Sequence, residues 1–477
     1  MTRQAAIERA LAHFDGGDFV ADLAARVAVH TESQEPDSFG ELRRYLEQQM
    51  APAFETMGHD CEILDNPVPG AGPVLVAQRI EDPALPTVLG YGHGDVIRGY
   101  DEQWREGLSP WRLERDGDRL YGRGTADNKG QHSVNMAALR AVLETRGRLG
   151  FNSRFMIETG EENGSAGLRE VIEAHRARFE ADAFIASDGP RVSPQRATVF
   201  LGARGAMNFD LVVDLREGGH HSGNWGGLLA NPGVILAHAL ASIVDARGRI
   251  QLREWLPPAL SNSVRTALAD IVIDAGAGAP AIDADWGEPG LTPVERVYGW
   301  NSFEVLAFRT GNPDKPVNAI PPRASAHCQI RFVAGSQDEA FLPALRRHLD
   351  AAGFAAVAIQ PPPAGNAASF RATRTDPDHP WVRWAVDSVA RSTGSAPAVV
   401  PQLGGSICND LFTDLLGLPT IWIPHSYAAC SQHAPNEHAL ASVLRDGLAI
   451  MTGLYWDLGE DAGSLPRRSI SCSRSLS

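Results

Sequence analysis

Hydrophobic positions along the chain fall into two textures. Up to about residue 197, apolar strands alternate with amphipathic helices. The opening MTRQAAIERALAHFDGGDF reads as an amphipathic first helix. Phe39 to Met50 carries apolar residues at helical spacing, and much of 20–60 reads the same way. Pro86 to His93 reads as a buried strand, Ser133 to Glu144 as a helix after a glycine-rich turn, and Arg154 to Glu158 as a second strand. Another glycine-rich turn, a helix over Leu168–Ala177 and a strand over Ala183–Ser187 follow. Strands alternating with helices predict an α/β fold with a mixed, largely parallel sheet flanked by helices. In such sheets ligand groups collect beyond the carboxyl ends of the strands.

The second texture begins near residue 198. Thr198 to Leu201, Asn208 to Leu215 and Ala324 to Val333 alternate apolar and polar residues as antiparallel strands do. A Gly/Ala/Pro-rich stretch lies around 274–291, and Pro361-Pro-Pro-Ala-Gly reads as a linker. The α/β pattern then returns, with a helix over Trp381–Ala390 and a strand over Pro419–Ile423. The expected organisation is a discontinuous catalytic domain, 1–197 with 363–458, and an inserted α+β domain over 198–362. The tail 459–477 is small and polar and is expected to be disordered.

Composition narrows the function classes. Lys and Arg number 43 against 58 Asp and Glu, a formal charge of −15, which argues against nucleic acid or an anionic membrane as partner. No window offers the roughly 20 apolar residues of a membrane span, and the charged start lacks the apolar core of a signal peptide. The five cysteines are scattered and form no C-x-x-C pair, so neither a disulfide framework nor a thiolate zinc site is indicated. A cytoplasmic protein is expected.

Five short stretches carry candidate chemistry. Gly92-His93-Gly94-Asp95 places a His at a strand end, with Asp95 able to accept the other imidazole N–H. Tyr121 to Gly130, YGRGTADNKG, sets glycines around Asp127, whose two oxygens could bridge two cations. Glu161-Glu162 follows a strand; adjacent carboxylates repel unless one binds a metal and the other handles a proton. Ser187-Asp188-Gly189 ends another strand, and Gln432-His433 precedes a predicted helix. Each alone has an ordinary explanation, such as a capping Asp or a solvated acidic pair. Their order and their placement at strand ends make the argument. His132, His220, His425 and His438 read as loop or supporting groups, and Cys408, Cys430, Trp104 and Trp225 as packing residues.

Together GHGDVI, LYGRGTADNKG, ETGEENGS, SDGP and HAPNE resemble the zinc peptidases and amidohydrolases that include aminoacylase, acetylornithine deacetylase, glutamate carboxypeptidase and carnosinase. The resemblance runs from about 20 to 455. It implies two Zn2+ per subunit, with Co2+ or Mn2+ as alternatives: one held by His93, Asp127 and Asp188, the other by Asp127, Glu162 and His433. It implies Glu161 as general base and Asp95 as the residue orienting His93. It also implies a lid or dimerisation domain, and hence a homodimer. His221, in GHHSGNWGG, would complete the active site, in its own subunit or across the dimer. Arg331 would contact the substrate carboxylate, with Asn318 nearby and Ser406, in Gly404-Gly-Ser406-Ile407, close to the same group. The chain departs from the family at Gly219-His220, where carnosinase-like members have Asp-Leu, and at Cys408, which replaces a common Pro.

The expected activity is hydrolysis of a dipeptide or small peptide with a free C-terminal carboxylate. The alternatives are an N-acyl amino acid amidohydrolase and, in another class, a non-catalytic zinc-binding relative.

Overall fold

The computed structural model describes residues 1–273, 281–361 and 370–468. Its larger sheet is built from β1 (Asp60–Leu64), β2 (Val74–Arg79), β3 (Thr87–His93), β4 (Asn152–Glu158), β5 (Ala183–Ala186) and β6 (Thr198–Phe200). The chain then forms a smaller sheet from β7 (Gly205–Asp214), β8 (Ser302–Thr310), β9 (Arg323–Phe332) and β10 (Val357–Gln360). It returns to the larger sheet with β11 (Ala398–Val400) and β12 (Thr420–Trp422). The larger sheet runs β1-β2-β4-β3-β5-β12-β6-β11. Its centre is parallel, from β4 through β3 and β5 to β12; β1 and β2 are antiparallel. The fold is α/β with a mixed, largely parallel sheet.

Strand periodicity divides this sheet into two buried faces. In β2, Leu75 and Ala77 pack on one side while Val74 and Val76 pack on the other. The first face is covered by helices α1 (Arg3–Asp15), α2 (Lys129–Arg146), α3 (Pro380–Thr393) and α4 (Ala441–Asp461). The Oγ1 of Thr2 caps α1 by accepting the N–H of Ala5, and Gly147 ends α2 in the left-handed region. Two glycines set the approach of α2. A Cβ at Gly130 would meet the Thr125 carbonyl oxygen at 1.9 Å, and one at Gly92 would meet the His132 Cβ at 2.5 Å. Any side chain at either position would push α2 off the loop or the strand it packs against.

The smaller sheet, ordered β8-β9-β7-β10, is antiparallel, with β7 and β9 paired along their length. In β9, Ala324, Ala326, Cys328, Ile330 and Phe332 are buried and alternate with Ser325, His327, Gln329 and Arg331. Helices over Pro232–Ile243 and Phe341–Ala351 cover the apolar face. The polar face therefore presents Gln329 and Arg331 together.

Three sequence expectations change. Thr198–Phe200 is not part of the inserted sheet; it pairs in parallel with β11 in the larger one. The helices Asn262–Ala269 and Pro293–Tyr298 lie away from the smaller sheet, and their Val264, Leu268 and Val294 pack into the larger sheet's second core. The tail expected to be disordered from Gly459 is helical to Asp461, and Leu465 is buried. Apolar packing holds it where its composition suggested none. Residues 469–477, most of the 361–365 linker and 274–280 lie outside the described residues. Among the described residues no helix is long and apolar enough to cross a membrane.

Candidate metal centre

The carboxyl ends of β3, β4 and β5 lie side by side, which converts sequence-distant motifs into neighbours. His93 is the last residue of β3 and is fully buried. Its Nδ1 pairs with the backbone carbonyl of Asp95 at 3.0 Å, which directs Nε2 towards Asp127 Oδ1 (3.0 Å) and Asp188 Oδ2 (3.7 Å). The other oxygen of Asp127 lies 3.1 Å from His433 Nε2, and that nitrogen is 3.0 Å from Glu162 Oε2. Two donor sets thus share one carboxylate. His93, Asp127 and Asp188 form one; Asp127, Glu162 and His433 form the other; within each set the donor atoms lie within 4.8 Å of one another.

Asp95 does something different from the expectation. Its carboxylate is 3.5 Å from His93 Nδ1, farther than its own carbonyl, and accepts the backbone N–H groups of Glu161 (3.2 Å) and Glu162 (3.1 Å). It therefore fixes the turn carrying both glutamates as well as flanking His93. The loop bearing His433 has left-handed backbone at Ser431, His433 and Asn436, none of them glycine. It leads into a short strand, His438–Leu440, before α4 begins.

Electrostatics show what this cluster lacks. Burial, then the charge of Asp127, raises Glu162 to about 7 and Asp188 to about 6. Burial raises Glu161 well above the carboxylate range, against the pull of His93 and with repulsion from Glu162, Asp188 and Asp127. Hydrogen bonds to Asp127 and Glu162 lift His433 to about 11. Burial opposes charge on His93, but its contacts with Asp127 and Asp95 raise it well above the imidazole range. Four carboxyl groups face two imidazoles, and protons supply the missing positive charge. Imidazole nitrogen with carboxylate oxygen, three donors to a set, is a donor chemistry suited to divalent zinc.

These groups open into a cavity of about 720 Å³ lined by Asp127, Glu161, Asp188 and His433, and on the inserted domain by Arg331. The Arg331 Nη1 donates to Ser406 Oγ at 2.8 Å, and Ser406 in turn donates to the Arg204 carbonyl. Arg331 and Ser406 therefore reach the same chamber as the metal donors. His221 and Asn318 do not: among the described residues neither lines the cavity. His221 is exposed on a ribbon that pairs His220–His221 with Ala319–Ile320, and the Asn318 carbonyl accepts the Ser222 N–H beside it.

The remaining histidines stay outside both donor sets. His132 pairs with Tyr45, His425 with Ser187 and His438 with Tyr427. Cys408 is buried, its thiol donating to Glu158, which also accepts from Tyr91 and Ser165; burial, then Asp95, raises Glu158 to about 7. Trp104 is buried, whereas Trp225 is 45% exposed and meets the His220 ring edge-on, with centroids 6.0 Å apart. Gln432, which donates to Asp127 Oδ2, and Glu437 escaped sequence reasoning. Their only signal was proximity to His433.

Residues 89–457 match the peptidase family M20/M25/M40. The β-Ala-His dipeptidase of Mus musculus is 32% identical over 250 residues, 49% of either chain. The cysteinylglycine-S-conjugate dipeptidase of Corynebacterium striatum is 26% identical over 325 residues, 66% of this chain and 67% of that one. The M20 family metallo-carboxypeptidase of Sulfolobus solfataricus shares the fold, with a TM-score of 0.77 at 23% identity, over 92% of this chain and 98% of that one. The chain spans about half the length of the first curated relatives it matches. With a match that extends through most of the sequence and takes in all five candidate metal ligands, this chain belongs to peptidase family M20/M25/M40.

Proposed function

We propose that this chain is a metal-dependent dipeptidase that holds two zinc ions and cleaves small peptides bearing a free C-terminal carboxylate. The observation that carries the reading is a single chamber lined by donors from both sets, Asp127, Asp188 and His433, together with Glu161 and Arg331. The dipeptidases among its relatives support the substrate class. Bound in the two sets, the ions would polarise the scissile carbonyl and lower the pKa of a water from about 15.7 towards about 7. Glu161 takes a proton from that water and returns it to the leaving amine. Arg331, oriented through Ser406, pairs with the substrate carboxylate in the forked geometry of a guanidinium.

The reading includes a homodimer in which His221 and Asn318 complete the site of the neighbouring copy. Two features support this. His221 is exposed outside its own chain's cavity, and the edge strand β8 exposes Val305, Leu306 and Phe308. A cytoplasmic setting is consistent with Cys61, Cys328, Cys408 and Cys430 all being free.

A panel of dipeptides against N-acetyl amino acids, run with the zinc-loaded protein, tests the substrate class. Hydrolysis of the dipeptides is expected; turnover of the acyl series alone would overturn the proposal. Mixing Glu161→Gln and His221→Ala subunits tests the shared site. About a quarter of the normal activity should return, because half of the dimers are mixed and each holds one complete site. No recovery would place His221 in its own subunit.

A further inference from the structure

The set of Asp127, Glu162 and His433 draws its donors from distant parts of the sequence, and something must hold them in register. Asp127 and His433 are separated by 306 positions and meet at 3.1 Å. Four residues beyond His433, Glu437 is 1% exposed and inserts its carboxylate into the loop that carries Asp127. One oxygen, Oε1, accepts three backbone N–H groups: Gly124 at 3.0 Å, Ala126 at 3.0 Å and Asp127 itself at 3.1 Å. The other, Oε2, accepts from Arg123 Nη1 at 2.6 Å. Arg123, also 1% exposed, reaches back from its Nη2 to the Ala434 carbonyl at 3.1 Å, next to His433. The Gly122 N–H closes the pattern by donating to the Glu437 carbonyl at 3.1 Å.

This geometry is a clamp between two loops. A buried carboxylate is costly unless it is paired and hydrogen-bonded, and here the Asp127 loop supplies three N–H donors and a guanidinium. Charge-assisted bonds of this kind are short and directional. Because one of them ends on the Asp127 N–H, the clamp fixes the backbone from which the shared carboxylate projects. Arg123 fixes the His433 side of the same junction. Neither residue belongs to a donor set. We propose that Glu437, together with Arg123, is a positioning residue of the metal pair: it holds Asp127 against His433 and so sets the affinity for the ion shared by Asp127, Glu162 and His433. This rests on the metal-binding reading of the site.

The clamp acts most on the ion whose donors span both loops. The set of His93, Asp127 and Asp188 draws only on the strand ends and the Asp127 loop, so it should weaken less. A glutamine at 437 keeps the shape and one accepting oxygen. Its amide, however, turns a donor towards Arg123, which also donates.

The test uses the full chain, stripped of metal and titrated with Zn2+ against a chromophoric chelator. Wild type should bind two ions per chain, one in each donor set. In Glu437→Gln one of the two ions, assigned to the set of Asp127, Glu162 and His433, should lose roughly 10–100-fold in affinity, the usual effect of removing a supporting partner of a ligand. Turnover at low zinc should fall and should recover as zinc is raised. A purely structural role would instead lower the melting temperature of the metal-free protein and leave both zinc affinities in place. Arg123→Lys keeps the charge but loses the fork to Ala434; it should weaken the same ion by a smaller factor and decides the matter if Glu437→Gln fails to fold. Folded variants with both zinc affinities unchanged would overturn the clamp alone. A wild-type chain that binds no zinc would overturn the metal reading and the clamp with it.

Discussion

The two sheets of this molecule treat their polar residues in opposite ways. At the carboxyl edge of the larger sheet, the side chains of His93, Asp127, Glu162 and Asp188 are buried, with His433 at the rim. Gly130 and Gly92 allow the close packing of α2 that holds the Asp127 loop there. On the smaller sheet, Gln329 and Arg331 face the cavity from an antiparallel surface, while His221 lies exposed on a separate ribbon. The first region can concentrate charge because rigid strand ends pay the ordering cost in advance. The second can only meet the substrate once the chamber is assembled. On the proposed function, metal binding and substrate recognition would fall to different scaffolds.

Substitutions should break this contrast in a graded order. The largest effect is expected for Asp127→Ala, which removes a donor from both sets. Elemental analysis after zinc loading should find no stoichiometric metal, and activity should vanish. Glu161→Gln should come next, retaining zinc while kcat falls by roughly 10²–10⁴-fold. Unchanged turnover would remove Glu161 from its role as base. Arg331→Ala lies on the other scaffold. It should lower kcat/KM by roughly 10–100-fold for dipeptides, the worth of a charge-assisted bond, and change little for C-terminally amidated peptides. Equal losses on both would show that Arg331 does not read the carboxylate.

A smaller effect should appear in the pH dependence of the metal-free protein. Glu162 and Asp188 have folded pKa values of about 7 and 6, raised above the usual carboxylate values, and His433 has one of about 11. A raised folded pKa gives stability that is complete below the unfolded value and lost as pH rises through the folded one. The metal-free melting temperature should therefore fall from about pH 7 to pH 8, above the range in which the buried His59, His132 and His425, whose pKa values burial lowers, add stability as pH rises. Asp127 is shifted the other way, but its contribution is already complete above pH 5. Zinc should remove most of the fall, because the ions replace the protons. A metal-free melting temperature that rises over this range would contradict the picture of a proton-compensated site.

The contrast also explains what was legible in the sequence. Strand ends can be read locally: an apolar run followed by His93, or by Ser187-Asp188, announces a ligand-bearing edge. The insertion was visible as a change from continuous apolar strands to alternating ones. What stayed hidden depends on contacts between distant segments. Thr198–Phe200 looks like its antiparallel neighbours but pairs with Ala398–Val400. The helices Asn262–Ala269 and Pro293–Tyr298 give no local sign that they pack on the larger sheet. Asp95 could be read as a neighbour of the imidazole, but not as the residue whose carboxylate also holds the Glu161–Glu162 turn. Glu437 was quoted within its motif but given no role, because three of its partners are backbone N–H groups, which carry no sequence signature.

The central claim is that two ions sharing Asp127 make this chamber hydrolytic. The most direct measurement is dipeptide hydrolysis by metal-stripped protein as zinc is added in known equivalents. Turnover should rise and reach its plateau at two zinc ions per chain, matching the two donor sets. Full activity without bound metal, or no activity on any dipeptide with both sets filled, would contradict it.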